Sequence, residues 1–172
     1  TYYGGTGVDY QRDMDSDGSS NVYIAGFTNT GFGNDIASIG AHQTIFGGSS
    51  YDAYLAKFNQ AGVRQWGTYY GGTALDYGYG CAADGLGNSF VSGYTGSFNN
   101  ISTPGCYQFA FGGSSYDGFI AKFNSAGVRQ WGTYYGGTML DYGWGCAADA
   151  AGNSYLTGYT QSTNGIATVG AA

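Results

Sequence analysis

Residues 61–73 read AGVRQWGTYYGGT, and the same letters return without change at residues 126–138. The second half of this segment, TYYGGT, also opens the chain at residues 1–6. Identical segments at a regular spacing mark an internal repeat, and a repeat of this length is typical of blade or solenoid architectures. The repeat therefore decides the fold.

The spacing of TYYGGT defines the repeat units. Its copies begin at Thr1, Thr68 and Thr133, so the two intervals are 67 and 65 residues. The two additional residues of the first interval fall between Thr28 and His42, in a segment with the composition of a loop. The chain is thus predicted to hold about 2.6 repeats, which occupy residues 1–67, residues 68–132 and, as a partial unit, residues 133–172.

Each repeat contains four short extended segments. Alternating side-chain size and flanking turn residues place those of the second copy at residues 77–83, 89–95, 118–123 and 128–135. The cluster Asp84-Gly85-Leu86-Gly87-Asn88 between the first two is a turn, because these residue types supply unusual backbone angles. The sequence therefore predicts an all-β fold made of four-stranded antiparallel blades of a β-propeller.

The composition excludes several other classes of protein. Glycine provides 34 of the 172 residues, and all 11 acidic residues are aspartate, so a helical bundle is excluded. A net charge of −6 with 5 cationic residues argues against a nucleic-acid partner. No apolar run approaches the length of a membrane span, so the chain is not expected to cross a membrane.

The order of these motifs resembles the SBBP-type bacterial β-propeller repeat. In the second copy the resemblance is carried by the turn at residues 84–88, by Gly93-Tyr94-Thr95, and by residues 119–124 and 131–137. The first copy departs at residues 17–21, where serine replaces the last glycine of the turn. The resemblance implies a place in large secreted or surface-attached bacterial proteins, often of Bacteroidetes type, and a repeat without a known catalytic motif.

The number of repeats raises a question about closure. Propellers usually close with about four to eight blades, which is more than this chain supplies. Two expectations follow. The chain is an ordered piece of a longer polypeptide, or its blades stack openly with other chains into a filament.

The sharpest chemical motif is the run Asp13-Met14-Asp15-Ser16-Asp17-Gly18. Alternating aspartates followed by glycine resemble the first half of a calcium loop, in which carboxylates at positions one, three and five converge on the ion. Ile24 stands where such a loop has its glutamate, and the other two repeats lack the motif. Calcium held by Asp13, Asp15 and Asp17 is one hypothesis. The other is a hairpin turn whose aspartates bind backbone amides.

Paired tyrosines recur at fixed positions beside glycines. A stacked platform for a sugar ring is one interpretation, because an aromatic face packs against the apolar face of a pyranose. The other interpretation is an inter-blade core with hydroxyls at its rim. The residues concerned are Tyr2, Tyr3, Tyr69, Tyr70, Tyr134 and Tyr135.

The cysteines allow two interpretations as well. Cys81 and Cys146 occupy the same position in successive repeats, where the first copy has Met14. They are expected to be small buried apolar residues on a strand. The alternative is a Cys81–Cys106 disulfide that ties the long loop to the first strand in an oxidising compartment.

The residues give no support for catalysis. A single histidine leaves no credible Ser-His-Asp set, and most aspartates lie in repeat-equivalent turns. We therefore expect a non-catalytic structural or interaction segment of an extracellular or cell-surface protein, with no cofactor unless calcium binds. Its partners would be other proteins, in adhesion, surface assembly or a filament scaffold. The alternative function is a calcium-dependent glycan-binding module, with surface glycans as partners.

Overall fold

Ten β-strands form three antiparallel sheets in residues 1–31, 35–48, 50–113, 115–168 and 170, the part of the chain that this computed structural model describes. The strands are β1 (Asp9–Ser16), β2 (Val22–Thr28), β3 (Asp52–Phe58), β4 (Arg64–Tyr70), β5 (Asp76–Ala83), β6 (Ser89–Thr95), β7 (Asp117–Phe123), β8 (Arg129–Tyr135), β9 (Asp141–Ala148) and β10 (Ser154–Thr160). The described residues contain no helix long and apolar enough to cross a membrane.

Each sheet is a simple meander in which strands adjacent in sequence are adjacent in space. The orders are β1-β2-β3-β4, β5-β6-β7-β8 and β9-β10, all antiparallel. The prediction of an all-β fold with four-stranded antiparallel blades is confirmed. The predicted repeat boundaries at residues 67/68 and 132/133 fall inside β4 and β8, because TYYGGT begins within the fourth strand of a blade.

The turn after the first strand is built by an aspartate. In the second blade, Asp84 accepts hydrogen bonds from the amides of Leu86 and Asn88, and Gly87 has a φ of 81°. In the first blade the turn has Ser20 at the equivalent position, and its φ is 62°. The serine therefore adopts the left-handed conformation that favours glycine, and the turn survives the substitution.

Neighbouring blades pack through the first strand of one blade and the second strand of the preceding blade. An ideal Cβ built on Gly78 would lie 2.4 Å from the carbonyl oxygen of Gly26, and one on Gly143 would lie 2.5 Å from that of Gly93. Backbone thus meets backbone at both boundaries. The apolar core runs across the first boundary and includes Tyr23, Leu55, Trp66, Tyr70, Phe119 and Phe123.

The first strand of every blade carries a β-bulge at the same position. The register shifts between Gln11 and Asp13, between Gly78 and Gly80, and opposite Thr157 and Gly158. The residues left out of the pairing are Arg12, Tyr79 and Trp144. A bulge re-aims side chains and increases the local twist, and it is common near functional sites. Trp144 is 57% exposed.

Candidate functional site

Asp13 and Asp15 join the first blade to the second. One carboxylate oxygen of Asp13 accepts a hydrogen bond from the Cys81 amide at 2.9 Å, and one of Asp15 accepts from the Ala83 amide at 2.8 Å. Both aspartates lie on β1 and both amides on β5. Since alternate residues of a strand share a face, the two carboxylates are directed to the same neighbouring strand. The two carboxylates thus link β1, the first strand of the first blade, to β5, the first strand of the second blade, through hydrogen bonds.

Asp17 has a different role, because its carboxylate stabilises the hairpin turn between β1 and β2. Its carboxylate accepts hydrogen bonds from the amides of Ser19 and Asn21, from the Asn21 side chain and from the Tyr23 hydroxyl. Burial acts to raise the pKa of Asp17, but these hydrogen bonds outweigh burial and lower it.

The three carboxylates therefore do not converge on one point. Within the described ranges, no group of three or more histidine, cysteine, aspartate or glutamate side chains forms a set that could hold a metal ion. The geometry favours the turn interpretation of this motif over the calcium hypothesis. In the second repeat Gly80 takes the place of Asp13, and an ideal Cβ on Gly80 would lie 2.7 Å from the Cys146 amide nitrogen, because β9 packs directly on β5.

Replacing Asp13 and Asp15 together by alanine is expected to lower the free energy of unfolding by about 1–3 kcal/mol, because two amides between the blades lose their acceptors. Urea unfolding measures the loss, with Ser16→Ala on the exposed part of the same strand as the control. Unfolding is expected to be the same with calcium and with a chelator. A calcium-dependent midpoint in the wild type that disappears in the double variant would restore the calcium hypothesis.

Five of the six tyrosines chosen from the sequence are tied into the protein by their hydroxyls. Each hydroxyl donates to a backbone carbonyl: Tyr3 to Ile36 at 2.6 Å, Tyr69 to Thr30 at 2.5 Å, Tyr70 to Ile101 at 2.5 Å, Tyr134 to Ser97 at 2.8 Å and Tyr135 to Ile166 at 2.6 Å. Burial is the main cause that raises the pKa of Tyr69 to about 12. Tyr2 is fully exposed.

Five of these tyrosines fit the inter-blade core better than a sugar platform. Tyr69, Tyr70 and Tyr134 are buried, and Tyr3 and Tyr135 are partly buried. Consecutive residues of a strand point to opposite faces. The first tyrosine of a pair therefore bonds the loop of its own blade, as Tyr69 does, and the second bonds the loop of the next blade, as Tyr70 does. The pair Tyr134 and Tyr135 bonds two loops in the same way.

The three cysteines are free thiols. Cys81 is buried on β5, whereas Cys106 lies in the loop that packs beside β8, where the Thr103 amide donates to the Gly132 carbonyl. β5 and β8 are opposite edges of one sheet. Three strand spacings, roughly 14 Å, separate such edges, which is beyond the reach of a disulfide. The Cys81–Cys106 alternative is wrong for this fold, and burial raises the pKa of Cys81.

A second set of rings, which sequence reasoning missed, lies at the first two strands of each blade. We name it the aromatic arc. It consists of Tyr10, Tyr77 and Tyr142 from the first strands and of Phe27, Tyr94 and Tyr159 from the second strands. These residues recur at the repeat spacing just as the buried pairs do. The signal was therefore in the sequence, but repetition alone does not separate exposed rings from buried ones.

A group of buried carboxylates lies between the blades. Asp76 accepts hydrogen bonds from the Gly72 amide and the Ser97 hydroxyl, both at 2.8 Å, and from the Thr95 hydroxyl. Asp52 accepts from the Gly47 amide and the Gln43 side chain through one oxygen, and among the described residues its Oδ1 has no hydrogen-bond partner. Burial raises the pKa of Asp76 to about 6 and that of Asp52 to about 7.

The sheets, the repeat and the inter-blade packing define the class of the molecule as a β-propeller-type module. Residues 65–102 match the model of the SBBP β-propeller repeat family, which confirms the resemblance noted in the sequence. The matched span begins in β4 and ends in the loop after β6. No curated protein matches the chain.

Proposed function

We propose that the chain is a non-catalytic structural and interaction module of a bacterial extracellular or cell-surface protein, which contacts other proteins through its long loops. The observation that carries the proposal is a set of exposed apolar side chains on the loops between the second and third strands of two successive blades. Ile39 is 89% exposed and Ile45 is 74% exposed in the first blade, and Phe98 is 76% exposed in the second. Apolar side chains that loops hold in water suit contacts with a protein partner.

Contacts of this kind are weak one by one and add up when several blades contact one partner. This favours proteins as partners in adhesion or surface assembly.

The proposed location outside the cell rests on the family resemblance and on the composition. Charged residues make up 9% of the chain, so its surface is sparsely charged, with a net charge of −6. Few charges limit the repulsion between closely packed repeats. No catalytic step is part of the proposal.

Replacing Ile39 and Phe98 together by serine tests the proposal. We expect the wild type to associate with itself as its concentration rises, because the exposed apolar side chains leave water when the loops meet. Sedimentation velocity measures the association, and the variant is expected to associate at least tenfold more weakly.

The matched control is Val63→Ser, on the turn between β3 and β4, where the side chain is 56% exposed. It is expected to associate as the wild type does. A wild type that stays strictly monomeric at all concentrations, or equal association of the loop variant and the control, contradicts contacts through the long loops.

A further inference from the structure

We infer that the aromatic arc is a binding surface for a neutral polysaccharide. This goes beyond protein contacts through the long loops and does not depend on them. The arc is continuous across three blades. Successive ring centroids lie 4.8 Å apart from Tyr10 to Phe27, 4.7 Å from Phe27 to Tyr77, and 5.0 Å from Tyr77 to Tyr94. The line continues at 4.5 Å to Tyr142 and at 6.1 Å to Tyr159.

The five tyrosines of the arc are accessible to a ligand. Tyr10 is 43% exposed at one end and Tyr159 is 46% exposed at the other, while Tyr77, Tyr94 and Tyr142 are half-buried. Each of these tyrosine rings therefore has part of its surface fixed by packing and part open to solvent, whereas Phe27 is buried and packs between Tyr10 and Tyr77. Rings held in this way bind with little loss of side-chain freedom.

The arc tyrosines differ from the buried pairs in what their hydroxyls do. In the residues that the structure describes, the hydroxyls of the buried pairs donate to loop carbonyls, whereas none of the arc tyrosines donates to a backbone carbonyl. The Tyr159 hydroxyl accepts a hydrogen bond from the Gln161 side chain, which leaves its own proton to donate. The arc thus combines apolar ring faces with hydroxyls that can still bind a ligand.

The charges around the arc favour a ligand without charge. Burial and neighbouring tyrosines raise the pKa of Tyr77 and Tyr94, so these phenols stay neutral. Arg12 is the cation of the arc, and its guanidinium lies 5.0 Å from the ring centroids of Phe27 and Tyr79. A single cation that contacts aromatic rings gives a polyanion little attraction. The net charge of −6 on the chain repels a polyanion.

A neutral polysaccharide matches this surface in both chemistry and extent. A pyranose has an apolar face that packs against an aromatic ring and equatorial hydroxyls that reach phenol hydroxyls and Arg12. The same pair of rings recurs in each blade, so a polymer of identical units can contact several blades at once. Calcium has no part in this mode of binding.

Affinity electrophoresis and titration calorimetry with soluble neutral glucans, mannans and galactans test the inference, in the presence of a chelator. The arc variant is Tyr94→Ala with Tyr142→Ala, whose ring centroids lie 4.5 Å apart across the boundary between the second and third blades. We expect at least one polysaccharide to bind the wild type, and we expect the arc variant to bind that polysaccharide at least tenfold more weakly. Tyr94→Phe with Tyr142→Phe, which keeps both rings, is expected to weaken binding by threefold or less.

The control variant replaces Tyr107 and Phe109, two exposed rings on the long loop outside the arc, by alanine. It is expected to bind polysaccharide as the wild type does. Far-UV circular dichroism and urea unfolding verify that each variant is folded, and sedimentation of the arc variant keeps this test separate from contacts through the long loops. The inference is overturned if no neutral polysaccharide binds, or if binding needs calcium. It is also overturned if acidic polysaccharides or proline-rich peptides bind instead, or if the arc variant and the control variant lose the same amount of affinity for the polysaccharide.

Discussion

Gly93→Ala is expected to destabilise the protein by at least about 3 kcal/mol and to be recovered mostly as unfolded chain. An ideal Cβ on Gly93 would lie 1.8 Å from the carbonyl oxygen of Tyr77 on the paired strand. That oxygen belongs to the backbone at the bulge of β5 and cannot rotate away. Relief therefore requires the β5–β6 ladder to separate where the aromatic arc is built.

The same contact recurs in all three blades, so the equivalent glycine-to-alanine variants are expected to lose stability in the same way. The ideal Cβ of Gly26 lies 1.8 Å from the Tyr10 carbonyl oxygen, and that of Gly158 lies 1.9 Å from the Tyr142 carbonyl oxygen. Urea unfolding of each single variant measures the losses. Gly85→Ala is the matched control, because nothing lies within 4 Å of its ideal Cβ, and it is expected to change stability by less than about 1 kcal/mol. A Gly93→Ala variant as stable as this control contradicts the packing described here.

The strands were largely predictable from the sequence because they obey a local rule. The predicted segments at residues 77–83 and 89–95 correspond to β5 (Asp76–Ala83) and β6 (Ser89–Thr95). Alternation of side chains follows from strand geometry, and the turn residues between the strands fix the ends. A similar copy 65 residues later, with the same glycines and the same alternation at residues 142–148 and 154–160, doubles the signal.

The functional surface was not predictable because burial depends on neighbouring blades. Tyr69 and Tyr94 both recur at fixed positions, but Tyr69 is buried and bonded to the Thr30 carbonyl, whereas Tyr94 is half-buried in the arc. The bulge that leaves Tyr79 out of the pairing has no signature in one sequence. The run of aspartates at residues 13–17 allowed two interpretations, because a strand and a calcium loop can both have a carboxylate at every second residue.

The buried carboxyl groups between the blades are expected to make the free energy of unfolding fall by a few kcal/mol as the pH rises from about 4 to 7. Asp52 is fully buried, and its Oδ1 has no hydrogen-bond partner among the described residues. Burial is the main cause that raises its pKa from 3.8 to about 7, with the carboxylate of Asp76 as a further cause. Asp117 repeats the arrangement one blade later: burial and Asp141 raise its pKa, and its Oδ1 is likewise without a partner in the described part of the chain. His42 acts in the opposite direction, because burial lowers its pKa from 6.5 to about 4, so the effect of the carboxyl groups is isolated by comparison with a variant.

The sign follows from the raised pKa. The folded chain holds a proton on Asp52 that the unfolded chain releases above pH 3.8, so the stabilisation is complete below that pH and is lost as the pH approaches 7. Asp76, whose pKa is raised to about 6, acts in the same direction. The lysines do not compensate these charges, because Lys122 pairs with Asp84 at 3.8 Å and Lys57 contacts the Ser125 carbonyl.

Asp52→Asn with Asp117→Asn separates this cause from all others, since asparagine has the shape of a protonated aspartate and does not titrate. The double variant is expected to match the wild type near pH 4.5, to exceed its stability at pH 8, and to show a much weaker dependence on pH between them. Urea midpoints at these pH values provide the measurement, and Asp35→Asn, at an exposed position, is expected to keep the wild-type profile. A double variant whose free energy of unfolding depends on pH as that of the wild type does would mean that these two carboxyls are charged in the fold. The blades would then meet across buried carboxylates rather than across carboxylic acids, which is physically costly because neither Oδ1 has a hydrogen-bond partner among the described residues.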